Sequence, residues 1–385
     1  MSTEVLSSRE RLMAALHYKE TDRFPWSPLI CGYYSLGLPE PLRGDDLAVQ
    51  RAIGADVMER ISTTVYGQSL PSGIPAAFEI SPEAPIETVT NSNDVLIKEV
   101  REGNQLLRVY ETPVGEVRET YETRESSPWM AFPVEYKIKT PEDLSVYRYI
   151  VEAQEYRPAY DEFIRISGEI GDDGIATTPS PISPFQMLLE VELGVEQFHY
   201  FLIDYPDELE ALMQTMHVKN LEACEIIAES PAEVVILYEN TSTSYMSPPM
   251  FAQYILEHLN EYADLYHKAG KIVLIHACGK LKDIANELGL GHYDGICDIA
   301  PPPTGDLELV EAKEVWGNRK VALGGIDATA FVSLSPEEMK DHVHHILRRV
   351  SSHRGVILGS GDAVPAGTPL ETLRAVTEAV EEFKL

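Results

Sequence analysis

The sequence feature with the clearest chemical potential is a histidine and a cysteine, two residues apart, at the end of an apolar run. The run is Lys271-Ile-Val-Leu-Ile-His276, and Ala-Cys278-Gly follows it. Such β-branched and aliphatic runs are typical of buried parallel strands, and residues i and i+2 of a strand share a face. His276 and Cys278 therefore point the same way at a strand end, where α/β proteins place functional groups. Imidazole nitrogen and thiolate sulfur are ligands that suit zinc; without a metal, Cys278 would be a small core residue and His276 a hydrogen-bonded one.

Eight short apolar strands alternate with helical patterns along the chain. Marked by one residue each, they are Phe24, Val57, Ile175, Ile236, Leu274, Ile296, Leu323 and Ile357. This alternation predicts a parallel sheet with helical crossovers, and eight such units suit a closed (β/α)₈ TIM barrel. The alternative is a doubly wound open sheet, which normally has a glycine-rich phosphate loop after its first strand. Here that loop is Ser27-Pro-Leu-Ile-Cys-Gly, without such a signature, so the sequence favours an α/β fold of the barrel class.

The segment at about 71–148, between the second and third barrel strands, has a different pattern. It contains the strand-like runs 95–100, 106–110 and 114–121, with the turn-forming Glu102-Gly-Asn between the first two. This pattern predicts antiparallel strands in a meander. We interpret 71–148 as an inserted, β-rich, lid-like subdomain of a chain that otherwise forms one barrel domain over residues 1–385.

The carboxyl ends of barrel strands meet at one mouth, so the residues found there can be read from the sequence. From the fourth to the eighth strand they are Tyr238, Glu239, Asn240, His276, Cys278, Cys297, Asp298, Gly325, Asp327, Ser360 and Asp362. One His, two Cys and several carboxylates make a better metal site than His276 and Cys278 alone, because zinc takes three or four ligands and catalytic zinc keeps one position open. Ordinary structural roles are the alternative: Glu239 could cap a helix, Cys297 could fill the core, and Asp362 could accept backbone N–H groups in a turn.

Charge and cysteine content limit the function classes. The 385 residues include 31 Lys and Arg against 62 Asp and Glu, a formal net charge of −31. A field of that sign argues against binding nucleic acid or an anionic membrane surface, and no apolar run approaches membrane-spanning length. Since the four cysteines are widely spaced and no signal peptide is evident, we expect reduced thiols and a cytoplasmic location. A homodimer remains open.

These motifs resemble those of the uroporphyrinogen decarboxylase superfamily, and within it the cobalamin-dependent methyltransferase branch. The motifs with counterparts there are Ser8-Arg-Glu-Arg-Leu-Met-Ala-Ala-Leu, Thr21-Asp-Arg-Phe-Pro, Glu239-Asn-Thr, His276-Ala-Cys-Gly, Gly324-Gly-Ile-Asp, Gly359-Ser-Gly-Asp and Thr368-Pro-Leu-Glu-Thr. The resemblance covers nearly the whole chain and implies a (β/α)₈ barrel. The decarboxylases carry an Arg-rich loop after the first strand that holds the carboxylates of a tetrapyrrole. The corresponding Pro28-Leu-Ile-Cys-Gly-Tyr-Tyr-Ser-Leu-Gly has no Arg, which favours the methyltransferase branch.

The resemblance also implies a zinc site. In the methyltransferase branch, His-x-Cys on the fifth strand and a Cys after the eighth hold zinc; His276 and Cys278 match the first two positions. The third falls near Asp362, in a segment without Cys, so Asp362 could ligate through oxygen, and Cys297 or Glu239 could complete the set instead. A less thiolate-rich zinc is a better Lewis acid, which suits activation of an oxygen or nitrogen substituent.

The activity implied by the resemblance is zinc-dependent transfer of a methyl group between a small O- or N-methyl substrate and a corrinoid (cobalamin) carried by a separate corrinoid protein. Glu239 would act as an acid on the heteroatom, and Tyr245 would line the pocket, as aromatic residues often do in ligand sites. Two alternatives stay open: a metal-independent decarboxylase or lyase on the same fold, and a non-catalytic corrinoid- or tetrapyrrole-binding protein.

Overall fold

A computed structural model describes residues 5–61, 84–90, 94–125, 127–350 and 352–385. The chain divides into two compact units. The first comprises Met1–Ile61, Phe163–Pro179 and Pro231–Leu385, and the second comprises Ser62–Glu162 and Ser180–Ser230. The predicted start of the insertion, near residue 71, lies outside the described residues.

The described residues contain thirteen strands. In chain order they are β1 (Val57–Arg60), β2 (Ile86–Thr90), β3 (Leu96–Glu102), β4 (Gln105–Thr112), β5 (Gly115–Arg124), β6 (Ser127–Glu135), β7 (Gln154–Pro158), β8 (Gly174–Pro179), β9 (Val234–Tyr238), β10 (Ile272–His276), β11 (Gly295–Ile299), β12 (Val321–Ile326) and β13 (Val356–Ser360).

The α-helices of the described residues are α1 (Ser8–Leu16), α2 (Gly32–Ser35), α3 (Asp46–Ala52), α4 (Pro141–Glu152), α5 (Tyr160–Ile170), α6 (Pro184–Met187), α7 (Val195–Asp204), α8 (Pro206–Glu229), α9 (Pro248–Tyr254), α10 (Leu256–Lys268), α11 (Ala285–Leu288), α12 (Leu309–Trp316), α13 (Ala330–Ser333), α14 (Pro336–Arg349) and α15 (Leu370–Glu382). Within this part of the chain, every helix is too short or too polar to cross a lipid bilayer. The first helix begins with the capping box that its sequence predicts, because Ser7 and Glu10 bond each other's backbone N–H groups.

The first unit contains a parallel sheet of seven strands in the order β1-β8-β9-β10-β11-β12-β13. Alternate side chains of these strands form one apolar interior. Met58 and Ile357, from the two edge strands, belong to the same buried cluster as Ile236, Leu274 and Leu12 of α1. Because residues from both edges meet in one cluster, the sheet is curled. The predicted α/β class with a parallel sheet is confirmed, and the curled sheet is consistent with a TIM-like fold.

The first predicted strand is not a regular strand but a short segment, residues 25–29, which we call the seam. It forms isolated parallel bridges to the chain at β13, one of which pairs Trp26 with Leu358. On its other side the Trp26 carbonyl accepts the N–H of Asp56, the residue before β1, at 2.8 Å. The two prolines of the seam cannot donate ladder hydrogen bonds. The described residues therefore form seven regular barrel-type strands where the sequence predicts eight.

The second unit contains two antiparallel sheets, one of four strands in the order β3-β4-β5-β6 and one that pairs β2 with β7. The β3–β4 hairpin turns at Gly103, whose φ of 62° lies in the left-handed region that glycine tolerates. Val117 of β5 and Ile150 of α4 belong to the small apolar core of this unit. Residues 180–230 contribute α6, α7 and α8 to the same unit.

Candidate functional site

His276 is the last residue of β10, a strand whose five residues are all buried. It lies two residues beyond Leu274 of the apolar interior and so faces the same side of the sheet. Its Nδ1 lies 2.5 Å from a carboxylate oxygen of Asp298. This bond fixes the orientation of the ring and leaves Nε2 for a second partner.

Asp298 lies in β11 at an irregular point of the sheet. Its φ is +69°, in the left-handed region, and the β11–β12 register shifts between Ile296 and Ile299. Such bulges redirect a side chain out of the normal strand alternation. A non-glycine residue in this conformation costs about 1–3 kcal/mol and persists only where its surroundings hold it. The contacts of the carboxylate provide that support.

Arg60, the last residue of β1, is the second partner of Asp298. Its side chain is 2% exposed, and its Nη1 donates to both carboxylate oxygens, at 2.8 and 2.6 Å. Burial alone would raise the pKa of Asp298, but the charges of Arg60 and His276 outweigh it and lower that pKa well below its usual range. Arg60, Asp298 and His276 thus form a continuous buried chain of charge-assisted hydrogen bonds.

Two cysteines interact with the same imidazole. Cys297 is fully buried in β11 with its Sγ 3.3 Å from the Ile275 carbonyl, and burial raises its pKa to about 11. Cys278 is half-buried just beyond β10; burial raises its pKa, and the neighbouring His276 acts in the opposite direction. Among the described residues, one ligand atom each of His276, Cys297 and Asp298 lie within 4.8 Å of one another.

Asp362 is half-buried shortly after β13. Its carboxylate accepts the N–H of Ala363 at 2.7 Å and acts electrostatically on the Cys278 thiol. Asp362 is therefore near the cysteine but outside the 4.8 Å group. The turn role that the sequence left open for this residue is present, and a ligand role is compatible with its place.

The two catalytic candidates of the sequence follow β9. Glu239 is fully buried, its backbone N–H lies 3.2 Å from the carbonyl oxygen of His276, and its charge acts on Tyr293. Tyr245 is half-buried in the loop that leads to α9. Glu239 lies outside the group of close ligand atoms found in the described part of the chain.

The donor types suit a three-ligand zinc site, although Cys278, like Asp362, lies outside the 4.8 Å group of the described residues. Both oxygens of Asp298 already accept hydrogen bonds from Arg60, so this carboxylate is suited to orienting His276, as carboxylates commonly do for zinc-bound histidines. His276, Cys278 and Cys297 would then be the ligands, and three protein ligands leave the open position that catalytic zinc requires. Asp362, which acts electrostatically on Cys278, is a further oxygen donor.

Asp298 and Tyr238 lie at strand ends that the sequence predicts, but the sequence assigns them no role and does not predict Arg60 at the site. The available signal for Arg60 was an arginine at the carboxyl end of a short buried strand, where a charge needs a partner. Tyr238 ends β9, and its ring centroid lies 5.6 Å from that of His276.

Comparison with known proteins identifies the family. Residues 130–383 match the family model for uroporphyrinogen decarboxylase (URO-D). The uroporphyrinogen decarboxylase of Coxiella burnetii is 25% identical over 191 residues, which are 48% of this chain and 50% of that protein. The chain thus spans about half the length of the curated relatives it matches.

Among solved structures, a methyltransferase from Methanosarcina mazei superimposes with a TM-score of 0.63 over 98% of this chain and 99% of that chain, at 17% identity. At that identity the likeness establishes a shared fold. The family model, in contrast, matches well over half of the residues, and it agrees with the resemblance noted from the motifs. The chain belongs to the uroporphyrinogen decarboxylase family.

Proposed function

We propose that this chain is a zinc-dependent methyltransferase that moves a methyl group between a small O- or N-methyl substrate and a corrinoid carried by a separate protein. The observation that carries the proposal is the close grouping of His276, Cys297 and Asp298, with the Cys278 thiol interacting with the same His276 imidazole. Family membership and the fold shared with a protein described as a methyltransferase support it.

Zinc held by His276, Cys278 and Cys297 would supply Lewis-acid polarisation of the heteroatom that bears the methyl group. The residues of the chain prepare this site. Asp298 holds the His276 ring through Nδ1, so Nε2 is the nitrogen that would bind the metal. Glu239 would supply the proton that the heteroatom takes up as the methyl group leaves, and Tyr245 would line the pocket around the methyl group.

The same proposal covers the fold and its setting. The seam would act as the eighth strand of a closed barrel that residues 1–385 form, with 71–148 as an inserted subdomain. The partners would be the corrinoid protein and a small methylated molecule. Nucleic acid and membranes would not be partners. Cytoplasmic reducing conditions would keep Cys278 and Cys297 available as thiolate ligands.

Metal analysis tests the site directly. Purified wild-type protein should contain about one zinc per chain, and the His276→Ala/Cys278→Ala variant should lose it. Cys224→Ala is the matched control, because Cys224 is a buried cysteine of α8 in the other unit and its loss should leave the zinc content unchanged. Zinc-loaded protein should then transfer methyl groups from methoxylated aromatics or methylamines to cob(I)alamin. The visible spectrum of the cobalamin reports this transfer.

The curated decarboxylase relatives favour one second candidate, a metal-independent decarboxylase or lyase. No zinc in the wild type, even after incubation with zinc, would contradict the methyltransferase proposal and favour that activity. Zinc retention without any methyl transfer would favour a non-catalytic corrinoid-binding role.

A further inference from the structure

Arg60 uses only part of its hydrogen-bonding capacity. Nη1 binds Asp298, but Nε and Nη2 are buried and find no hydrogen-bond partner among the described residues. Leaving buried donors unsatisfied is destabilising, and more so for charged groups. Native proteins rarely tolerate this without a functional reason.

The unused atoms are the two that form the side-on fork of a guanidinium. Arg11 of the same unit shows what this fork binds in a fully matched case: its Nε and Nη2 donate to the two oxygens of Asp22 at 2.7 and 2.8 Å, and its Nη1 binds Asp56 at 2.6 Å. Arg60 repeats the Nη1 contact with Asp298 and lacks the second carboxylate. The missing partner of Arg60 therefore has the geometry of a carboxylate.

Arg60 lies at the carboxyl-end edge of the curled sheet. Arg60, Tyr238 and His276 each lie two residues beyond an interior residue, namely Met58, Ile236 and Leu274. Residues i and i+2 share a face, so these three side chains form a polar layer at the carboxyl ends of the strands. Parallel α/β sheets bind their ligands at that end.

Tyr238 adds a second unused donor to the same layer. Its Oη is buried and has no partner among the residues that the structure describes. Burial raises the pKa of Tyr238, and the charges of Arg60 and His276 act in the opposite direction. A ligand group bound by Arg60 would thus lie within a layer that offers another O–H donor and the imidazole of the proposed zinc site.

We propose that the Nε and Nη2 groups of Arg60 bind a carboxylate of the methylated substrate, with Tyr238 Oη as an additional donor. The inference rests on the proposed function and narrows its substrate class to small methylated monocarboxylates, such as methoxylated aromatic acids or N-methylated amino acids. A single fork holds a single carboxylate, and the overall charge of −31 disfavours substrates with several.

Binding of matched acid and amide probes tests this inference. The zinc-loaded full chain is titrated calorimetrically with 4-methoxybenzoate against 4-methoxybenzamide, and with N,N-dimethylglycine against its amide. We expect at least one acid to bind about 10-fold or more tightly than its amide, because a site built for a polar group rejects analogues that lack it. Equal affinity within both pairs, or no binding of either acid at millimolar concentration, would overturn the inference.

Variants assign the preference to Arg60. Arg60→Lys keeps a charge beside Asp298 but removes the planar fork, so the acid preference should fall about 10-fold. Arg23→Lys, the same exchange at an arginine that binds Asp56, is the control and should keep the preference. Tyr238→Phe should lower the acid preference less than Arg60→Lys does. It serves as a second test if Arg60→Lys does not fold. An acid preference that persists in both site variants would overturn the assignment.

Methyl transfer to cob(I)alamin with the same four compounds separates the two proposals. Equal transfer from acids and amides would sink the carboxylate inference and leave the methyltransferase standing. Acid-selective binding that depends on Arg60, without any transfer, would support the carboxylate site and contradict the methyltransferase.

Discussion

Two buried arginines of the first unit are held in opposite ways. Arg11 has its fork on Asp22 and its remaining nitrogen on Asp56, and a second arginine, Arg23, also binds Asp56. Charges and donors are matched throughout that cluster. Arg60 has one carboxylate, Asp298, and two donors without a partner among the described residues.

This difference separates a structural ion cluster from a ligand-binding site. A buried charge is tolerated when all of its hydrogen-bonding atoms are paired. The paired charges around Arg11 thus serve the packing of α1 near the seam. Arg60 shares the burial but not the pairing. It interacts with Cys297 and is linked to His276 through Asp298. The unpaired donors of Arg60, at the carboxyl ends of the strands, indicate where a ligand would bind.

The largest expected effect is loss of the matched cluster. Arg11→Met leaves Asp22 without its cation and leaves Asp56 with Arg23 alone. Removing one partner of a buried ion pair lowers the free energy of unfolding by about 3–5 kcal/mol. Urea unfolding should show this loss in the free energy of unfolding. A loss below about 1 kcal/mol would mean that the cluster is not a structural element.

The next effect separates the two clusters by function. Asp298→Asn keeps the shape but removes the charge that orients His276, so zinc affinity should fall about 10-fold to 100-fold in competition with a chromophoric chelator. Asp22→Asn, the same exchange in the Arg11 cluster, should leave zinc affinity unchanged. Equal zinc affinities in the two variants would contradict the orienting role of Asp298.

A smaller effect is expected from Arg60→Met. The variant leaves Asp298 with His276 alone but also removes two unsatisfied buried donors, so the net loss in the free energy of unfolding should be about 1–2 kcal/mol. Measured beside Arg11→Met under identical conditions, an equal loss would erase the distinction between the two arginines.

The smallest effect concerns pH. Burial alone would raise the pKa of Asp22, but the hydrogen bonds and charge of Arg11 outweigh it and lower that pKa. A carboxyl with a depressed folded-state pKa contributes stability above its unfolded pKa of about 3.9 and loses it as the pH falls. The stability advantage of wild type over Asp22→Asn should thus be constant near neutrality and shrink below about pH 4. A constant difference down to the lowest pH at which both proteins fold would contradict this linkage.

The sequence predicted most of the parallel sheet because local pattern determines it. Apolar runs around Ile236, Leu274 and Ile357 are short and rich in β-branched residues, which favours strands over helices. The predicted first strand is only a pair of isolated bridges in the structure. The prolines of the seam remove ladder donors, and the hydrophobic pattern alone does not reveal this loss.

The sequence could predict only those parts of the candidate site in which a metal-binding residue type lies at a strand end. His276, Cys278 and Cys297 were found because each type is a metal ligand at a strand end. The pairing of Arg60 with Asp298 joins residues 238 positions apart and depends on a left-handed φ within β11. Neither a local propensity nor a spacing rule encodes such a contact, so the carboxylate's partners emerged only from the three-dimensional structure.

The seam has a consequence for the order of folding. It joins Trp26 to Leu358, so closing the sheet brings together segments from opposite ends of the chain. Contacts of such sequence separation form late, because a long loop must be closed before they stabilise anything. During synthesis, the apolar face of α1 can pack against β8 first, but Leu12 and Ile357 of β13 share one cluster, so part of that face stays exposed until residues near 357 emerge.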